Sequence, residues 1–377
     1  MSMVDKIKKY FIFNIITIVV FGIIMVYSSS YIYSKEVIGT STHFFFKQIV
    51  FLLIGASFAF LVSKTKASFW YKNAIKINIF FTALLALTFT PLGVSIKGSQ
   101  RWISLMGMSI QPGEFVKYSV MLAAVYFFNE FYKLDKDTKI KSGVSLLLPL
   151  VLLILQPDFG SFSISLILIF FACFMSDFPR KYFWGASVLG VGAMASLLVA
   201  APYRVKRLLT FLDPWSDPQN AGFQIIQSYL AFANGHIWGQ GIGNSNEKLF
   251  YLPEAYNDFI LSVIGEELGF VGIILVIALY VTFIYLGFRL ALTVVSKINS
   301  QLIAGFIFAI GFQAFLNMGV VLGLLPTKGL NLPFISYGGS SLFANCLLIG
   351  FIFSALNNKS QIITDTEQNK PHPNYYS

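Results

Sequence analysis

An all-α polytopic membrane protein of about ten transmembrane helices, with a large extracytoplasmic loop between the seventh and eighth, is the fold class this sequence predicts. Three observations predict it. Of 377 residues, 56% are hydrophobic and only 12% charged, against roughly 25% charged in soluble domains. The apolar residues come in runs close to the roughly 20 that cross ~30 Å of hydrocarbon. Lys and Arg, finally, gather in alternate short loops between those runs, the asymmetry that orients a membrane protein.

In order, the predicted spans are residues 11–30, 44–63, 74–91, 113–132, 143–157, 160–177, 182–201, 259–288, 300–322 and 335–356. The first follows lysines, as a signal peptide does, but has no small-residue cleavage pattern and is read as a retained span. The fifth is short and runs into Gln156-Pro157-Asp158-Phe159-Gly160, so it and the sixth form a tight hairpin with an acid at its tip. The eighth is long for one span, and Gly265 and Gly269 mark a bend near Glu266 and Glu267. Placing residues 1–10 in the cytoplasm puts most of the Lys and Arg of the short loops there too, leaving Lys35, Lys97, Arg101 and Lys328 in short outer loops; both termini are therefore expected inside. Residues 11–356 form the membrane domain, 202–257 its large outer loop, and 357–377 a polar tail expected to be disordered.

Composition also narrows function. A net charge of +10 would suggest nucleic acid in a soluble protein, but here topology accounts for the lysines and no nucleic-acid partner is expected. Cys173 and Cys346 lie in apolar runs and His43, His236 and His372 are scattered, so no disulfide framework or Cys/His metal site follows. No GxxxxGK[ST] phosphate loop is present. No cofactor is predicted; a divalent cation is compatible with the sequence without being indicated by it.

Polar residues instead collect towards the outer face. Glu254 and Asp258 stand at the mouth of the eighth span and Glu266 and Glu267 inside it, where ionisable groups are expensive and usually mark a substrate or ion site. The plainer alternatives are an ordinary loop acid at Glu254 and a helix cap at Asp258. Glu114 and Lys117 are three apart on the fourth span; they form either an intrahelical ion pair or the lining of an outward cavity. Arg204, Lys206 and Arg207 fit anionic lipid headgroups or a pyrophosphate, for which the Arg fork is well shaped. Lys328, a cation in a sparsely charged outer loop, is read as an anion binder. Trp102 beside Arg101 suits a segment lying at the membrane interface, and Gly338-Gly339-Ser340-Ser341 allows close helix approach.

Taken together, Arg101-Trp102-Ile103, Gln111-Pro112 with Glu114 and Lys117, Gln156-Pro157-Asp158-Phe159-Gly160, FLDPWSDPQNAGFQIIQS, GIGNSNEKLFYLPEAYNDFI followed by GEELG, and LPTKGLNLPFISYGGSS resemble the SEDS (shape, elongation, division, sporulation) family over nearly the whole chain. Lys328-Gly329 favours its division branch. The chain departs from the family pattern at Tyr256-Asn257, where His-Thr is common, at Gly113 for Ser and at Asn331 for Pro.

The resemblance implies a peptidoglycan glycosyltransferase of septal cell-wall synthesis. It would polymerise lipid II on the outer face of the bacterial cytoplasmic (inner) membrane, with a class B penicillin-binding protein as transpeptidase and other division proteins as partners. By position in the motif Asp258 is the essential acid, expected to act as general base. Arg101, Lys117, Arg204, Arg207 and Lys328 are expected to hold pyrophosphate, and Glu114, Asp158, Glu254, Glu266, Glu267, Ser336 and Ser340 to support them. Two rivals are a lipid II flippase, with Glu266, Glu267, Glu114 and Lys117 as coupling residues, and a division scaffold without chemistry. The sequence shows no convincing internal repeat of the kind many transporters carry.

Overall fold

The computed structural model describes residues 2–96, 99–105, 108–199, 205, 209–220, 222–246 and 255–357. Each predicted span falls on one helix: α1 (Met3–Ile38), α2 (His43–Ser63), α4 (Ala74–Leu87), α5 (Gly113–Glu130), α6 (Lys136–Leu155), α7 (Phe159–Met175), α8 (Arg180–Val199), α10 (Ile260–Ala291), α11 (Lys297–Val321) and α12 (Gly339–Leu356). Among the described residues, two further helices are α3 (Ala67–Lys72) and α9 (Phe223–Gly235). Six of them, α1, α2, α6, α10, α11 and α12, are long and apolar enough to cross a membrane, while α4 and α7 are apolar but shorter. All but residue 357 of the predicted tail lies outside the described residues.

Local chemistry sets the helix ends. Ser2 and Asp5 form a reciprocal capping box at the start of α1, which closes at Gly39 in the left-handed conformation, φ +86°. Asp135 caps α6 and Asp158 caps α7. The segment between α4 and α5 differs from the expected interfacial loop: it is a three-stranded antiparallel meander, β1 (Gly93–Ile96), β2 (Ser99–Leu105) and β3 (Met108–Ile110). Val94 lies opposite Trp102 and Ile103 opposite Ile110. Strand alternation turns Arg101 and Ile103 to one side, and Ile103 is buried there.

At the centre stands α5, which touches α4, α6, α7, α11 and α12. It is buried almost continuously from Gly113 to Val125, so its two charges, Glu114 and Lys117, are interior. Helices α2 and α12 also pack closely: a Cβ on Gly350 would lie 2.6 Å from the Ala59 carbonyl oxygen, so only glycine lets the backbones approach this far.

The bend predicted in the eighth span is at Gly269, with φ 66° and ψ −163°. The loop between α9 and α10 fills the break, together with the end of α9. Phe270 N donates to His236 O (2.9 Å), Gln240 N to Glu266 O (2.9 Å) and Gly241 N to Glu267 O (2.9 Å). Backbone groups freed by the kink are thereby paired, as the membrane environment demands. A Cβ at Gly269 would lie 2.4 Å from Gly239 N and Ile237 O, so the position needs glycine for both conformation and space.

Candidate active site

Asp258 lies in the turn just before α10 and is half-buried. Its segment is held carbonyl by carbonyl. Tyr337 N donates to Tyr256 O (3.0 Å), Ser336 Oγ to Asn257 O (2.7 Å) and Asn317 Nδ2 to Asp258 O (2.7 Å). The same Asn317 amide donates to Leu330 O (2.6 Å), so one buried side chain of α11 ties the acid to the loop that carries Lys328. One turn earlier on the same face, Gln313 donates to Asn331 O (2.8 Å). A Cβ on Gly329 would come 3.0 Å from Asp258 Oδ2, which shows that the carboxylate rests against the backbone of the residue next to Lys328.

The Lys328 ammonium reaches towards α7, 3.5 Å from Ser163 Oγ and 4.8 Å from the Phe159 ring centroid. It is partly buried, and that burial pulls its pKa below the usual lysine value. The shelf beneath it is built by two other predicted residues. Arg101 donates through Nη2 to Pro157 O (2.6 Å) and through Nε to Gln156 O (3.4 Å). Asp158 accepts from Ser161 N (3.1 Å) and Ser161 Oγ (2.9 Å), capping α7. Gly160 lets Leu330 pack directly on the helix, a Cβ there standing 2.8 Å from Leu330 Cδ2.

Of the two arrangements open for Glu114 and Lys117, the buried intrahelical pair is the one seen. Lys117 Nζ lies 2.8 Å from Glu114 Oε2, contacts Gln313 Oε1, and has no solvent exposure. The pair reaches the Lys328 loop through Gln313 rather than by lining an open cavity. Glu266 is fully buried and accepts from Ser245 Oγ, Asn246 N (3.2 Å) and Asn234 Nδ2 (3.4 Å), so it pins the 234–246 segment to α10. Glu267, equally buried, accepts from Ser28 Oγ of α1, which stands 2.7 Å from each carboxylate oxygen. Ser336 joins Asn257 O to Leu332 N, and Ser340 Oγ accepts from Gln111 N at 3.0 Å. Arg204, Arg207 and Glu254 lie outside the described residues.

Sequence reasoning missed Asn317 and Gln313. The signal was present as two amides four residues apart in the apolar α11, a spacing that puts both on one helix face, where buried polar side chains act as interhelical ties. Gly329 was legible only as part of a glycine-containing loop, because its role depends on an acid seventy-one positions earlier in the chain.

The arrangement is a half-buried carboxylate on a segment whose three successive carbonyls are held in place, beside a loop that carries a partly desolvated cation. It can take a proton from a hydroxyl while positive charge nearby receives an anionic leaving group.

Comparison with known proteins gives the family. The family model for the FtsW/RodA/SpoVE proteins, described as cell cycle protein, matches residues 8–361. The probable peptidoglycan glycosyltransferase FtsW of Geobacter metallireducens is 38% identical over 344 residues, covering 89% of this chain and 90% of its own. That of Legionella pneumophila is 36% identical, covering 91% of this chain and 89% of its own. Among solved structures, a peptidoglycan synthase complex that coordinates polymerization and crosslinking matches with TM-score 0.69 and 29% identity, over 92% of this chain and 96% of that one. The rod shape determining protein RodA of Thermus thermophilus matches with TM-score 0.64 and 25% identity, over 92% and 95%. With its family model spanning almost the whole sequence and its fold shared with RodA, the chain belongs to the FtsW/RodA/SpoVE family of cell cycle proteins, multi-pass membrane proteins of peptidoglycan synthesis.

Proposed function

We propose that this chain is a peptidoglycan glycosyltransferase that polymerises lipid II into glycan strands on the outer face of the cytoplasmic membrane during septal wall synthesis. The observation that carries the reading is the contact of the Asp258 carboxylate with Gly329, one residue from Lys328. Asp258 takes the proton from the 4-hydroxyl of the acceptor's N-acetylglucosamine. That oxygen bonds to the anomeric carbon of the donor's N-acetylmuramic acid as the bond from this carbon to the pyrophosphate oxygen breaks. The leaving electron pair stays on undecaprenyl pyrophosphate. Because the leaving group departs as an anion it needs positive charge rather than a second carboxylic acid, and the α-linked donor becomes a β-linkage in one inverting displacement. Lys328 is the described cation best placed for that task; Arg204 and Arg207 are assigned to it from their sequence motif alone.

A class B penicillin-binding protein supplies the crosslinking activity, in line with the synthase complex that this fold matches. The protein resides in the inner membrane at the division septum with both termini cytoplasmic.

Purified protein and partner incubated with labelled lipid II should yield glycan polymer. Asp258→Asn should lower the rate by about 10²–10⁴-fold, the usual contribution of a general base, while leaving thermal unfolding unchanged. Polymer formation by the Asn variant at a near-normal rate would remove the assignment.

A further inference from the structure

Rings from four separate segments meet around Tyr256, two residues before Asp258. Phe44 at the start of α2 stacks on Tyr256 with centroids 4.8 Å apart and planes at 30°. Tyr33 of α1 approaches it at 5.4 Å and Tyr337 at 6.0 Å, while Tyr337 also meets Phe44 edge-on at 4.9 Å. All four are half-buried, so the cluster keeps an open edge. Packing alone would account for a closed aromatic core, but this one borders the catalytic segment. Two residues span at most about 7 Å of chain, so a ring face here lies within one sugar unit of the Asp258 backbone.

The cluster continues into the membrane. His43 meets Phe44 edge-on at 5.5 Å, and from His43 a groove of about 450 Å³ runs along α2 past Phe46, Lys47, Val50, Phe51 and Ile54. That volume falls in the range of sites that hold one ligand. Residues 43 to 54 cover about 16 Å of helix, close to the depth of one leaflet. Lys47 is exposed near the outer end, and below it Val50 and Ile54 are exposed and apolar. Read from the outside inwards, the surface offers aromatic faces, then a cation, then a strip of hydrocarbon. A sugar with an apolar ring face, a phosphate and a long isoprenoid tail present the same three chemistries in the same order.

We propose that this surface is the seat of the acceptor lipid II: its disaccharide on Tyr256, Phe44 and Tyr33, its pyrophosphate at His43 and Lys47, and its polyprenyl chain in the α2 groove. The inference rests on the glycosyltransferase reading and deepens it, because it assigns the two substrates to opposite ends of one short segment. The acceptor lies on the α1–α2 side of residues 256–258. The donor's pyrophosphate lies on the Lys328 side. It also gives Tyr256, where the family commonly has His, a task at the sugar.

The test is lipid II binding to the purified full-length protein by native mass spectrometry, with phosphatidylglycerol as competitor and glycan synthesis measured in parallel. Lys47→Glu and Val50→Trp alter lipid-facing positions outside the packed core, so the folded protein remains available for study. Each should weaken lipid II binding by about tenfold, the effect of losing one anchoring contact. Tyr256→Leu should raise the KM for lipid II by a similar factor with kcat within about threefold of wild type, and Tyr256→Phe should restore it. Asp258→Asn should bind like wild type while making glycan at a rate about 10²–10⁴-fold lower. Binding by Lys47→Glu and Val50→Trp equal to wild type would overturn the proposal, as would displacement of lipid II by equimolar phosphatidylglycerol. So would a Tyr256→Leu loss confined to kcat. If wild type binds lipid II at this surface yet polymerises none, the enzymatic reading fails and the binding seat stands.

Discussion

At Gly329 a single hydrogen decides how an acid and a cation share space. A methyl group there would meet Asp258 Oδ2 at 3.0 Å, and the carboxylate would have to move by a few tenths of an ångström. Since a misplacement of about 1 Å can cost roughly 10² in rate, Gly329→Ala should lower turnover by about tenfold with little change in thermal stability. Rates and unfolding temperature of the purified variant check this. Lys328 gives a second consequence through its charge. Burial disfavours the ammonium and lowers its pKa, so the cation is lost earlier than an ordinary lysine's as pH rises. If that cation receives the leaving pyrophosphate, kcat/KM falls along an alkaline limb. Lys328→Arg, which stays charged, should retain activity and move the limb to higher pH. A limb that stays in place in the Arg variant assigns the titration to another group.

Helix α10 shows how an element is broken to serve a site. Its first nine residues, Ile260 to Leu268, carry Glu266 and Glu267 into buried contacts with the 234–246 segment and with α1, and the kink at Gly269 receives the chain from His236 to Gly241. The backbone conformation there is one that only glycine adopts freely, and a non-glycine residue costs on the order of 1–3 kcal/mol before any clash. Gly269→Ala adds such a clash, with backbone atoms at 2.4 Å. The variant should therefore lose thermal stability and expose the 236–246 segment to hydrogen exchange, while exchange in α2 and α12 stays slow. Helix α11 works in the opposite manner, unbroken, with Gln313 and Asn317 offering amides to three carbonyls of the neighbouring loops. The buried Glu114–Lys117 pair joins that scheme through Gln313. Such an ion pair adds little net stability relative to apolar residues but is costly to halve, typically 3–5 kcal/mol.

On the scale of the molecule, the proposed orientation puts the β meander, the Asp258 segment and the Lys328 loop on one side of the membrane and the loops after α2, α5 and α7 on the other. Single cysteines introduced at Thr327 and at Lys136 in a cysteine-free background check it. An impermeant thiol reagent applied to intact cells, with the outer membrane permeabilised, should label the first and spare the second. The reverse pattern would place the site in the cytoplasm and remove lipid II polymerisation outside the membrane.

Hydropathy and charge placement were enough to read the spans, the hairpin at Pro157, the bend in the eighth span and the group of acids Glu254, Asp258, Glu266 and Glu267, from which the family resemblance alone singled out Asp258. Each of these is written in local properties: run length, loop charge, a glycine, an acid where acids are expensive. The meander at 93–110 was not legible, since its short strands look like any polar loop until Arg101 and Ile103 have something to face. Only the tertiary structure decided that Lys117 is sealed inside α5's surroundings, that Arg101 clamps the turn at Gln156 and Pro157, and that Asn317 joins the acid to the cation loop. The reason is physical: a side chain's type sets which contacts it needs, but a partner fifty or two hundred residues away is chosen by packing, which no local stretch of sequence contains.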